Sequence, residues 1–162
     1  MDVRKILIGA LVAGLIAASA AISMAGPPSG RGRATTLRFL DVRQQTEFLD
    51  LGEPAQGDFD PSSGDTFFFE SDLRNKAGTK SLGSFVSRCT AVIGTQFHCM
   101  GTLSLDGGTV ELATTTDFAS SQPIVAAVVG GTRGYDDVGG QAKIISTDTE
   151  GTSKLVLRLV SR

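Results

Sequence analysis

The 162-residue sequence has no tryptophan, one tyrosine, one histidine and two cysteines. Two thiols and one imidazole leave a zinc site incomplete, so no metal is expected. The sequence also has no large excess of positive or negative charge, because 15 lysines and arginines nearly balance 17 aspartates and glutamates. Without a basic field for a phosphate backbone, nucleic acid is not an expected partner.

Several catalytic motifs are missing as well. The chain has no dinucleotide fingerprint, no calcium loop and no Gly-x-Ser-x-Gly elbow. The glycine-dense stretch at residues 128–140 lacks the Gly-Lys-Ser/Thr of a phosphate loop and carries Asp136 and Asp137, which would repel phosphate. Any chemistry is therefore expected to need no cofactor.

Charge is absent from residues 6–22, which follow Arg4 and Lys5 and precede the small-residue end Ser23-Met24-Ala25. This order predicts a signal peptide at residues 1–25 that is cleaved on export. An uncleaved membrane anchor is the alternative, because the apolar run is slightly long for a signal. The expected location is secreted, periplasmic or at the cell surface, with membrane attachment if the anchor is retained.

Residues 26–34 are rich in Pro, Gly, Ser and Arg and predict a flexible leader, which leaves residues 35–162 as one domain. Glycine is abundant, helical periodicity is absent, and turn residues recur at short intervals. Strands are predicted at residues 35–51, 66–73, 81–93, 96–105, 109–116, 124–129, 141–147 and 154–160. The pattern indicates an all-β fold but does not choose between a barrel and a sandwich.

Cys89 and Cys99 flank the predicted turn at Gly94-Thr95. In an antiparallel hairpin with an odd-numbered loop, residues whose numbers sum to 188 face each other, and these two cysteines do so. An exported protein meets oxidising conditions, which favours a disulfide over free or metal-bound thiols.

Three segments resemble one known family. Residues 128–140 (Val-Val-Gly-Gly-Thr-Arg-Gly-Tyr-Asp-Asp-Val-Gly-Gly) are similar to the glycine-rich signature turn of dirigent proteins and their bacterial relatives, the allene oxide cyclase barrel-like proteins. Residues 64–73 and 83–93 resemble two strands of the same family. The chain differs from the pattern at Arg133, usually glycine, and at Gly139, usually arginine in dirigents, so that arginine's role is not carried over.

The resemblance implies an eight-stranded antiparallel β-barrel whose interior holds a small hydrophobic ligand. The residues predicted to line this pocket are Phe67, Phe69, Phe85, Phe97 and Val128. The mouth is expected near Tyr135 and residues 53–64.

Three residues are candidates for catalysis. Glu47 is the nearest positional match to a glutamate that steers ring closure in allene oxide cyclases, although a solvated strand-end carboxylate is the simpler interpretation. Asp65 could cap a turn, and Tyr135 could plug the barrel end or hydrogen-bond to a ligand. The sole histidine, His98, is expected to face away from Cys99 in a structural or surface role.

Two functions fit these features. The first is a cofactor-independent cyclase or isomerase that folds a polyene or polyketide-type substrate inside the barrel, in natural-product biosynthesis. The alternative is an exported dirigent-like or lipocalin-like protein that guides or carries a hydrophobic ligand without catalysis. The partner in both cases is a small hydrophobic molecule, and a homodimer or a homotrimer is left open.

Overall fold

The computed structural model describes residues 33–51 and 61–161. The elements are β1 (Ala34–Leu49), β2 (Thr66–Arg74), β3 (Ser81–Ile93), β4 (Gln96–Leu105), β5 (Gly108–Asp117), β6 (Ile124–Gly131), a 3-10 helix (Arg133–Tyr135), β7 (Val138–Ser146) and β8 (Thr152–Ser161). Each strand pairs antiparallel with the next, and β1 also pairs with β8, which closes the sheet. The predicted eight-stranded antiparallel barrel is confirmed.

The predicted signal peptide or anchor at residues 1–25 lies outside the described residues, as does most of the predicted leader. The same holds for residues 52–60 of the loop between β1 and β2. In the two described ranges, no helix combines the length and the apolar character needed to cross a bilayer.

Alternation along each strand divides the side chains between the interior and the outer surface. On β4, Phe97, Cys99 and Leu103 are buried, whereas His98 and Met100 are exposed. Successive side chains of a strand point to opposite faces, so the odd-numbered residues of β4 line the barrel interior. Complete burial of one such apolar side chain stabilises the fold by about 1.5–3 kcal/mol.

One end of the barrel interior is filled by mostly aliphatic side chains, called the aliphatic core below. Leu73, Leu103, Val110 and Leu157 have no exposed surface and belong to one contiguous core. Tyr135, which follows β6, packs against this core. The barrel is therefore closed at the end that carries the turn between β6 and β7.

The predicted need for glycine in residues 128–140 is confirmed at two positions. Gly140 has φ +137°, and a Cβ at this residue would collide with the carbonyl oxygen of Arg158 on the neighbouring strand. At Gly131 a Cβ would collide with the carbonyl oxygens of Thr109 and Tyr135. The glycines let the chain turn tightly against β5 and β8.

Arg133 begins the 3-10 helix with φ 56°, and it is the one described residue other than glycine with a positive φ. The side chain is exposed. A residue with a Cβ adopts this conformation at a cost of about 1–2 kcal/mol, whereas glycine adopts it freely but loses more entropy on folding. This position is the one at which the related signature usually carries glycine.

Arg133→Gly is therefore expected to raise the free energy of unfolding by about 0.5–1 kcal/mol. Arg133→Ala keeps the Cβ and is expected to leave stability nearly unchanged, which makes it the matched control. Urea unfolding of both variants measures the difference. A less stable glycine variant would show that the arginine side chain contributes contacts that outweigh the backbone cost.

Candidate functional site

A cavity of about 680 Å³ lies inside the barrel and extends from the aliphatic core to the loop between β7 and β8. This volume is within the range of roughly 300–1,000 Å³ that is typical of small-molecule sites. Its floor is formed by side chains that belong to the core or pack on it, namely Phe85, Leu112, Ala126 and Ile144. The barrel therefore has room for one small molecule.

An aromatic wall, formed by Phe67, Phe69 and Phe118, lines one side of the cavity. Phe67 and Phe69 come from β2, two residues apart, and their rings stack with centroids 5.9 Å apart. Phe118 follows β5 and lies 6.3 Å from both. Behind the wall, Phe97 is fully buried and stacks on Phe118 at 4.3 Å. The rings hold one another in place, which presents a stiff apolar surface to the cavity.

Phe118 is held at the cavity by the corner that follows β5. Its N–H donates to the carbonyl oxygen of Thr95 at 3.0 Å. The Asp117 carboxylate accepts hydrogen bonds from the Thr95 hydroxyl and the Ala119 N–H, and these bonds hold the Asp117 pKa below its ordinary value of 3.8. Asp117 is ionised at neutral pH, and through these hydrogen bonds its carboxylate fixes the corner.

Cys89 and Cys99 form a disulfide, as predicted, and both residues line the cavity. They are direct partners in the register of β3 and β4, with Cα atoms 4.0 Å apart. The predicted odd-numbered loop is wrong, because Ile93 pairs with Gln96 across a two-residue turn. A register shift between Ala91 and Ile93 restores the predicted cysteine pairing.

A β-bulge in β1 decides which of its side chains face the cavity. The register with β2 shifts between Arg43 and Gln45, so one extra residue is inserted at this point. Before the bulge the odd-numbered Asp41 and Arg43 face inward, and after it the even-numbered Thr46 faces inward. A one-residue insertion exchanges the two faces of all later residues of the strand.

A polar wall follows from this arrangement and is formed by β1, β8, the end of β7 and the residue after it. Its residues are Asp41, Arg43, Thr46, Ser146, Thr147 and Ser153. Ser153 donates to Oδ2 of Asp41 at 2.7 Å, while Oδ1 of Asp41 is buried and has no hydrogen-bond partner among the described residues. An unpaired buried acceptor is costly, so this oxygen is suited to receive a hydrogen bond from a ligand.

Arg43 lies where the polar and aromatic walls meet. Its guanidinium carbon is 5.0 Å from the centroid of the Phe69 ring, a cation–π distance. The cavity therefore combines an apolar surface with a cation and a carboxylate on the same strand, two residues apart.

Three of the five predicted lining residues face the cavity, namely Phe67, Phe69 and Phe85. Phe97 and Val128 do not line it: Phe97 lies behind Phe67 and Phe118, and Val128 is part of the aliphatic core. Both are buried and inward-facing, but Phe97 packs behind the aromatic wall and Val128 lies deeper along the barrel, in the core. The lining also includes polar side chains from β1 and β8, which the prediction did not name.

The three candidate catalytic residues lie away from the cavity. Glu47 follows the bulge, pairs with the exposed Phe68 and points outward. Asp65 is buried, and its carboxylate accepts the backbone N–H groups of Leu51 and Ser62 at 2.9 and 2.8 Å, as a turn cap does.

Tyr135 packs at the closed end, beside Gly107 and the aliphatic core. The prediction that Tyr135 and residues 53–64 share a mouth is wrong for the described part of that segment, because Tyr135 and residues 61–64 lie at opposite ends of the barrel. Residues 53–60 lie outside the described residues.

The sequence interpretation missed Asp41, Arg43 and Phe118. The signal for the first two was weak: counting in twos from Leu37 and Phe39 reaches residues 41 and 43, but these are charged, and the apolar Leu40 and Val42 point to the other face. Phe118 lies just beyond β5, and strand alternation carries no information there. In the two ranges that the structure describes, no three His, Cys, Asp or Glu side chains group as metal ligands.

No protein-family model matches the chain, and no curated protein matches it significantly. Solved structures do match its fold. A pyocyanin demethylase has a TM-score of 0.66 at 23% identity, over 78% of this chain and 100% of that one.

Two further structures share the fold at lower identity. The exo-specific intermolecular Diels-Alderase AbnU has a TM-score of 0.61 at 14% identity, over 79% of this chain and 98% of its own. The pterocarpan synthase dirigent protein GePTS1 has a TM-score of 0.59 at 18% identity, over 82% and 93%. The predicted resemblance to dirigent proteins and cyclase barrels is confirmed at the level of the fold.

Proposed function

We propose that the protein is a cyclase that holds one hydrophobic, unsaturated substrate in a ring-forming conformation inside the barrel. The observation that carries this proposal is the cavity itself, whose stiff aromatic wall adjoins a polar wall with an unpaired acceptor on Asp41. Such a surface positions a flexible chain by shape, while a few polar contacts fix its orientation. The names of the structural neighbours, which include a Diels-Alderase and a dirigent protein, support this class of function.

Ring formation by cycloaddition suits this set of residues. In a [4 + 2] reaction two new σ-bonds form from π-electrons of the substrate, and no atom or electron leaves or enters. The protein then needs to restrict conformers, and orientation of this kind lowers a barrier by up to roughly 7–11 kcal/mol in the best intramolecular cases. Phe67 and Phe69 would set the fold of the chain, and Asp41 would accept a hydrogen bond from a substrate hydroxyl.

Incubation with a linear polyene that carries a conjugated diene and an enone tests the proposal. We expect faster ring closure than in buffer and a product enriched in one stereoisomer, as measured by chiral chromatography. A substrate that binds but closes at the buffer rate, with the buffer ratio of isomers, would favour the carrier alternative. That alternative draws support from the signal-like residues 1–25, which predict export.

Export also remains a proposal. Residues 1–25 are expected to be absent from the mature protein, which then has its N-terminus at Gly26. The intact mass of protein recovered from outside the cytoplasm measures this. A mass that includes residues 1–25 would instead support the membrane anchor.

A further inference from the structure

We infer that Arg43 binds an acidic oxygen of the substrate, so that the natural substrate is a hydrophobic chain ending in, or carrying, a carboxylate, an enolate or a phenolate. This inference rests on the proposed function, because it assigns a substrate class to the same cavity. The three groups share one chemistry, a negatively charged oxygen that accepts hydrogen bonds from a guanidinium.

The position of Arg43 in the fold makes this role possible. Arg43 is the last inward-facing residue before the bulge of β1, and its N–H donates to the carbonyl oxygen of Gly151 at 2.8 Å. That bond ties the arginine backbone to the loop between β7 and β8, which borders the cavity. Arg43 is thus held at its backbone by Gly151 and at its guanidinium by the contact with Phe69.

The contact with Phe69 leaves the N–H donors of the Arg43 guanidinium available. A guanidinium over a ring uses its planar face, whereas its N–H donors lie in the plane and point outward. Among the described residues, the Arg43 guanidinium has no hydrogen-bond or ion-pair partner, and it is the one basic group that lines the cavity. A ligand that packs on Phe69 therefore brings its polar end next to these donors.

Two carboxylates also line the cavity, on Asp41 and Glu150, and they oppose an anion. Neither forms an ion pair with Arg43. Asp41 is engaged by Ser153 on one oxygen and presents a bare acceptor on the other. Arg43 and Asp41 together thus favour a ligand with an acidic oxygen at Arg43 and a hydroxyl donor at Asp41.

The affinities of two fluorescent probes with the same ring system distinguish the contribution of a ligand's negative charge from that of its apolar contacts. N-phenyl-1-naphthylamine is neutral, and 1-anilinonaphthalene-8-sulfonate adds one sulfonate to the same body. With the full chain we expect both probes to bind and Arg43→Gln to weaken sulfonate binding roughly tenfold, as loss of a partly exposed charged hydrogen bond implies. The affinity of the neutral probe is expected to change less than about twofold.

Arg88→Gln is the matched control, because it removes the same charge from an exposed site on the outer face of β3. It is expected to leave the affinity of both probes within about twofold. Equal sulfonate binding by the wild type and Arg43→Gln, with the neutral probe still bound, would overturn the inference and leave the proposed function intact. Failure of the wild type to bind either probe would overturn both.

Discussion

Phe69→Ala is expected to weaken the binding of N-phenyl-1-naphthylamine roughly 10- to 100-fold, which is the loss that removal of one large apolar contact implies. Phe69 lines the cavity, stacks with Phe67 and lies under Arg43. Its removal takes away part of the aromatic wall and the support of the cation. Fluorescence titration of the folded variant gives the affinity, and circular dichroism checks that the barrel is intact.

His98→Ala is the control for this prediction. His98 is exposed on β4, faces away from the cavity and lies 3.4 Å from the Thr115 hydroxyl through Nδ1. Its replacement is expected to change probe affinity, and the stereochemistry of any product, by less than about twofold. A large loss for His98→Ala beside an unaffected Phe69→Ala would contradict positioning by shape and indicate acid–base chemistry instead.

Phe97→Ala is expected to lower the free energy of unfolding by about 3–5 kcal/mol. Phe97 has no exposed surface and contacts Phe67 and Phe118 at ring distances of 5.7 and 4.3 Å. The cavity left by the missing ring removes the support of both wall residues. Urea unfolding measures the loss directly.

Phe68→Ala is the matched substitution, because Phe68 lies on the outer surface of β2, between Phe67 and Phe69. Phe68 points outward and is 38% exposed, so its replacement is expected to cost less than about 1 kcal/mol. Similar losses for Phe68→Ala and Phe97→Ala would contradict the assignment of Phe97 to a buried layer behind the aromatic wall.

The bounds of the strands could be predicted well because turn residues mark the ends of the strands in the sequence. The predicted bounds of β3 and β4 coincide with those observed, since turn residues flank an alternating apolar pattern on both. Closure into a barrel could not be derived from that pattern, which a sandwich also satisfies. The family resemblance supplied this step.

The site could be predicted only in part, and the bulge of β1 explains much of the difference. Alternation from Phe39 correctly extends to Asp41 and Arg43, but a single inserted residue then turns Glu47 outward. The residues Arg43-Gln44-Gln45 contain no local pattern, such as a glycine, that would predict the inserted bulge residue. Catalytic candidates chosen by their position along β1 are therefore sensitive to one residue of register.

The depth of each inward-facing side chain along the barrel axis was the second property that could not be predicted from the sequence. Phe67 and Val128 both face inward, yet Phe67 lines the cavity and Val128 lies in the aliphatic core. Strand stagger sets that depth, and it depends on pairings between strands rather than on the residues of one strand.

The most direct measurement is a crystal structure of the full-length protein with N-phenyl-1-naphthylamine bound. The account predicts the probe inside the barrel, with its rings against Phe67 and Phe69 and its edge toward Asp41 and Arg43. A probe found on the outer apolar residues, such as Val86 and Val129, with the interior cavity unoccupied, would contradict the claim that the chemistry of this protein takes place within the barrel.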